Sequence, residues 1–206
     1  MTTACENARV TTDSARKQEL LEAAYQYVLG NGLADMSLRP LAKEIGSSPR
    51  VLLFLFGSKE GLIRALLTRA REEELRYLAA LRDEHNSLAA TGQDVWAWLA
   101  DPAHRALLAL WVEGYARSLL GEPGPWADFG RDTVRDWLDL LAERQHANHL
   151  RAENTSSDNT STADTAERTL LLAVLRGALL DLLATGDTDR VTHAVERHLR
   201  AVGRPG

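Results

Sequence analysis

Arg39 and Arg50 stand on either side of Gly46 in "SLRPLAKEIGSSPRVLLFLFGSK", residues 37–59. A guanidinium is a planar five-donor fork that matches the O6 and N7 edge of guanine, so two of them flanking a turn favour base or phosphate contact over plain solvation. Ser37 and Ser48 are first of all placed to cap helices, and Lys59 stands at the start of the helix that follows. A second set, His104, Glu113, Tyr115 and Arg117, lies among tryptophans. It suits the polar minority of an apolar small-molecule cavity, or, less readily, His104, Glu113 and Tyr115 suit the acid–base groups of a small helical lyase or isomerase. His146 and His149 have the spacing of a metal pair, but no cysteine or carboxylate cluster completes it; no metal and no cofactor are expected. Nucleophile elbow, phosphate loop and metal signature are all missing, so an enzyme is not expected.

Helices must position these groups. Apolar residues recur at helical spacing from Ser14 to Leu29, and "GNG" at 30–32 is a stop. Ser37 is placed as an N-cap, Pro40 is tolerated in the first turn, and Leu38, Leu41, Ala42 and Ile45 share a face up to Gly46. Ser48 is the next N-cap, with Pro49 at the first helical position. The run "VLLFLF" after it therefore continues a short helix and is no strand. Gly57 and Ser58 interrupt, and Lys59 opens a long amphipathic helix to about Arg82.

Further helices are expected near 93–100, 103–120, 125–150, 165–185 and 188–202, the first of them starting beyond Gly92. Residues 151–164, "RAENTSSDNTSTAD", hold no apolar side chain larger than alanine and read as a mobile loop. Strand signals are missing almost everywhere. The expected class is all-α, with about nine helices.

The 206 residues, 45% of them hydrophobic, suffice for a sizeable core. Net charge is −5, but residues 1–85 hold 12 basic and 12 acidic side chains against 12 and 17 in the remainder. Nonspecific coating of nucleic acid is disfavoured, while a locally basic face remains open. The single cysteine, Cys5, excludes an internal disulfide, and no apolar run approaches a membrane span. A cytoplasmic location is expected, which makes the "NTS" triplets at 154 and 159 chance matches to a glycosylation pattern.

Two short helices joined at a glycine after a longer one form a helix-turn-helix, whose second element can enter the major groove. Residues 20–67 add to this: Ala23-Ala24, Gly32, Ser37-Leu38, Leu41-Ala42, Gly46, Ser48-Pro49, Leu52, Phe56, Ser58-Lys59-Glu60 and Leu62 together resemble the TetR family of bacterial one-component regulators. The resemblance covers the first third. Beyond it only the helical layout and "RGALLDLLATGD", similar to the family's dimer-forming segment, correspond.

The resemblance implies a flexible arm (1–13), a DNA-binding head (14–58) and a ligand-binding and dimerisation body (59–206), with 59–82 as the linking helix. It implies a repressor released from a near-palindromic operator by a small apolar or aromatic effector. Ser37 and Arg39, with Lys59, would meet phosphate; Ser48, Pro49, Arg50, Val51 and Phe54 would face the groove. A pocket is expected from Trp96, His104, Trp111, Tyr115, Trp126, Phe129 and Trp137, where the bland alternative is core packing. A homodimer interface is expected from Leu171, Leu175, Leu179, Leu182, Val191, Val195 and Leu199. The family usually has a tyrosine near 53 and often a histidine near 55, whereas this chain has Leu53 and Leu55. That departure motivates the alternative of a ligand- or protein-binding helical dimer with weakened DNA affinity.

Overall fold

The computed structural model describes residues 2–33, 36–80, 87–121, 123–151 and 160–202. Among them are nine α-helices: α1 Thr2–Asn31, α2 Leu38–Glu44, α3 Pro49–Phe56, α4 Lys59–Ala80, α5 Leu88–Ala100, α6 Arg105–Leu119, α7 Phe129–Arg151, α8 Thr160–Thr185 and α9 Thr188–Val202. A single 3-10 turn, Pro102–His104, precedes α6. No strand occurs among the described residues, and none of their helices is long and apolar enough to cross a membrane. The expected arm continues α1 as helix back to Thr2, because no proline or glycine interrupts the chain before Gly30. Of the expected loop at 151–164, residues 152–159 lie outside the described residues, and α8 is already helical at Thr160.

The chain forms two compact units, Met1–Glu73 with Ala109–Gly130 and Glu74–Leu108 with Arg131–Gly206. These do not coincide with the expected division after residue 58. In the first unit Leu62, Ile63, Leu66, Leu67 and Ala70 of α4 are buried, as are Leu20, Ala24, Tyr25 and Val28 of α1. Arg69 ties the two helices: its Nε donates to Glu22 Oε2 at 2.9 Å, its Nη1 to Glu73 Oε2 at 2.6 Å, and its guanidinium covers the Tyr25 ring at 4.6 Å. Burial, then the neighbouring Glu73 charge, keep the Tyr25 phenol protonated well above its usual range.

The second unit is built on α5, α8 and α9. Gly92 lies inside α5, whose N-cap is Ser87, rather than ahead of it as expected. A side-chain carbon there would come within 2.9 Å of Leu171 Cδ1 and 3.0 Å of Leu199 Cδ2. The glycine is thus a packing residue that lets three helices approach. Arg190 closes the α8–α9 turn by donating to both Asp181 oxygens, at 2.9 and 2.7 Å.

Leu171, Leu175, Leu179, Leu182, Val191, Val195 and Leu199 are each at most 5% exposed. These seven residues, expected to meet a second copy, are instead the core of this unit. What α8 turns outward is Leu170, Ala173, Gly177, Leu180 and Ala184, at alternating three- and four-residue spacing. Leu170 and Leu180 are 55% and 51% exposed, and Gly177 has open space above it.

Candidate nucleic-acid interface

The interface is built in the first unit on α1, α2 and α3. Leu41 and Ala42 of α2 and Leu52 and Phe56 of α3 are buried, which fixes the inward faces of both short helices. Between them the chain turns through Gly46 at φ +65°, with Ser47 N donating to Ala42 O at 2.7 Å and Gly46 N to Lys43 O at 3.3 Å. That 6→1 and 5→2 pair is a Schellman stop, and glycine is the residue that takes its left-handed position without strain.

Ser48 caps α3 as expected, its Oγ accepting from Val51 N at 3.3 Å, with Pro49 at the first helical position. Ser37 departs from expectation. Its backbone has N-cap geometry and its carbonyl accepts from Leu41 N, but its exposed hydroxyl makes no cap bond. The α3–α4 elbow is tighter than the sequence suggests. Ser58 Oγ accepts from Gly61 N at 3.0 Å, and a side-chain carbon at Gly61 would lie 2.1 Å from the Phe56 carbonyl oxygen. Gly61→Ala must therefore shift α3 against α4. The expected cost is about 2–3 kcal/mol, read as a melting temperature lower by about 5–10 °C; an unchanged thermal transition would contradict the geometry.

With Leu52 and Phe56 pointing in, the 100° helical step puts Phe54 opposite the core, with Arg50 and Val51 beside it. Phe54 is 77% exposed, Leu53 41% and Val51 38%. Arg39 and Lys43 of α2 are exposed as well, and Lys59 is half-buried at the start of α4. The first turns of α2 and α3 contain no acid. Arg39 and Arg50 thus sit at the positive ends of their helices, a placement that costs a few tenths of a kcal/mol and favours an anionic partner. Residues 36–59 carry four cations against one acid, Glu44. Lys43 was not singled out from the sequence; its signal was this local charge excess.

The expected pocket residues divide between the units. In the first, Trp111 stacks on Tyr115 with ring centroids 4.9 Å apart, Arg117 covers Trp126 at 4.8 Å, and Phe129 packs where Gly114 leaves room. Glu113, one turn from Arg117, accepts from Leu33 N at 2.9 Å through Oε2 and so reaches the segment ahead of α2. In the second, Trp96 Nε1 donates to Thr192 Oγ1 at 3.1 Å, Trp137 Nε1 to buried Glu74 at 3.0 Å, and His104 stacks on Trp98. A groove of about 330 Å³ lies between α5 and α9, and Trp96 lines it. The side chains of His146 and His149 lie outside the described residues; no cluster of three or more metal-ligating side chains occurs among those described.

No family model matches the chain. It is 28% identical over 194 residues to the HTH-type transcriptional repressor AcnR of Corynebacterium diphtheriae, covering 91% of this chain and 93% of that one. Among solved structures it is similar to a putative TetR-family transcriptional regulator from Rhodococcus sp., with a TM-score of 0.68 at 18% identity over 93% of this chain and all of that one. It is also similar to the multidrug binding protein EbrR, solved with proflavin, at a TM-score of 0.62 and 23% identity over 88% and 98%. The fold of this chain is that of the TetR family of transcriptional regulators.

Proposed function

We propose that the chain is a DNA-binding transcriptional repressor that works as a homodimer and leaves its operator when a small apolar or aromatic effector binds. The observation that carries this is the outward face of α3, where Arg50, Val51 and Phe54 stand clear of the core, with Arg39, Lys43 and Lys59 on the helices before and after it. The helix enters the major groove. Arg39, Lys59 and the uncapped Ser37 hydroxyl bond phosphate, and Ser48 and Pro49 approach the backbone at the start of α3. The second copy lies along the outward α8 residues Leu170, Ala173, Gly177, Leu180 and Ala184. A two-fold dimer then sets its recognition helices about 34–36 Å apart and requires a near-palindromic site.

The effector is held by aromatic side chains, for which Trp111, Tyr115, Trp126 and Phe129 are the first candidates. EbrR, a multidrug binding protein solved with the planar cation proflavin, supports this class of ligand. Glu113 carries the response. An effector that repacks Trp111 on Tyr115 moves α6, and with it the carboxylate that holds the Leu33 amide ahead of α2. Glu113→Ala is expected to weaken operator binding about tenfold, the cost of one charge-assisted bond, while the protein stays dimeric. Unchanged affinity would remove Glu113 from the relay.

Exposed Leu53, where a phosphate-binding tyrosine is usual in the family, favours a second reading in which the dimer has kept ligand binding and lost most DNA affinity. Fluorescence anisotropy on duplexes from upstream of the chain's own gene, against random duplexes, separates the two. The repressor reading predicts a preferred duplex whose affinity falls steeply with salt. Equal, weak binding to every duplex would overturn it.

A further inference from the structure

The outward side chains of α3 are unusual in chemistry. In "PRVLLFLF" Arg50 is the single side chain able to donate or accept a hydrogen bond. Everything else that α3 offers to a partner is hydrocarbon, led by Phe54, which is more exposed than any other described large hydrophobic residue. Isolated surface apolar residues need no explanation, but Val51 and Phe54, three apart, are neighbours on the face opposite the core, and exposed Leu53 stands at its edge. Hydrogen-bond readout by this helix is therefore confined to one arginine per subunit.

A B-form major groove offers hydrocarbon at one place, the C5-methyl of thymine. We propose that α3 identifies its half-site by thymine methyl groups, packed against Phe54 and Val51, next to a guanine taken by Arg50. This rests on the reading of α2 and α3 as the DNA-binding surface. The occupant is a DNA groove and not an apolar protein face, because α2, α3 and the first turn of α4 carry four cations, Arg39, Lys43, Arg50 and Lys59, against two acids, Glu44 and Glu60. A phosphate-lined groove satisfies such a cationic excess and a hydrophobic partner does not. Arg50 and Phe54 lie one helical turn apart, about 6 Å along the axis, or about two base steps of 3.4 Å. The guanine and the nearest thymine are expected within that distance of each other in each half-site. Leu53, at the side of the same face, extends the apolar contact where a hydrogen-bonding group would have reached for the backbone.

The test replaces thymine by deoxyuridine, position by position, in the duplex that the full chain selects from a random pool. This removes one methyl and leaves every hydrogen-bonding edge intact. One or two positions per half-site should lose about fourfold in affinity per methyl, and the loss at a position that Phe54 contacts should disappear in Phe54→Ala. Because Phe54 is exposed, the variant should melt as the parent does, which separates loss of contact from loss of fold. Uniform tolerance of deoxyuridine by a chain that binds its duplex overturns this inference alone. A deoxyuridine loss that persists undiminished in both Phe54→Ala and Val51→Ala also overturns it, since the methyl is then read elsewhere. A chain that selects no duplex overturns the DNA-binding reading with it. If Phe54→Ala instead reduces the size of the DNA-free assembly and leaves the thymine preference untouched, the patch belongs to a second copy and the inference fails.

Discussion

Gly177→Arg is expected to yield a folded monomer whose operator affinity has fallen at least about a hundredfold, because a second head no longer binds at the effective concentration that linkage supplies. The physical case is local. Gly177 sits midway along the outward α8 line of Leu170, Ala173, Gly177, Leu180 and Ala184, with nothing within 4 Å of the position a side chain would take. Arginine therefore meets no clash within one subunit, and it replaces glycine, a poor helix-interior residue, a gain of about 1 kcal/mol. In a dimer packed along this line the same side chain places a long cation between two close helices. Two positions away the expectation reverses. Leu175 is 1% exposed in the α5–α8–α9 core, so Leu175→Asp buries an unpaired carboxylate and should unfold its unit. Sedimentation velocity and thermal melts separate these outcomes, and a Gly177→Arg protein that remains dimeric would move the interface off α8.

Arg50→Ala should cost more than any other single change on the DNA face. A bidentate arginine–guanine contact discriminates by about 1–3 kcal/mol, and a two-fold dimer loses it twice. The expected loss is thus at least about thirtyfold, with relaxed preference at the contacted base pair. Arg39→Ala should behave differently. It removes a phosphate contact, weakening all duplexes alike and lowering the salt slope by about one. Equal losses on selected and random duplexes for Arg50→Ala would demote that residue to a phosphate contact as well.

The head was legible because its signals are local. Ser48-Pro49 reads directly as an N-cap and first helical position, and Gly46 as a stop, since each depends on backbone chemistry within a few residues. The face of α3 was legible for the same reason, as Leu52 and Phe56 fix its direction. Signals that depend on partners distant in sequence were misread. Gly92 looks like a helix breaker until Leu171 and Leu199 are seen against it. On α8, leucines occur on every side, so periodicity could not tell core from exterior. The three- and four-residue spacing of Leu170, Ala173, Gly177, Leu180 and Ala184 was present in the sequence, but it was masked by bulkier neighbours that pack inward. Likewise the aromatic residues of 96–137 form a continuous cluster in sequence, yet they are divided between two compact units. Gly61 carried no sequence signal for its contact with the Phe56 carbonyl, which exists only once the α3–α4 elbow has closed.

As proposed, a homodimer of this chain reads a specific duplex with α3. Selection of bound DNA from a random pool by the full chain tests it most directly, since it reports specificity and half-site geometry together. A near-palindrome should be enriched, with half-sites about one helical turn apart, each holding a guanine close to one or more thymines. Failure to enrich any sequence over the starting pool at low salt, where phosphate contacts are strongest, would contradict it.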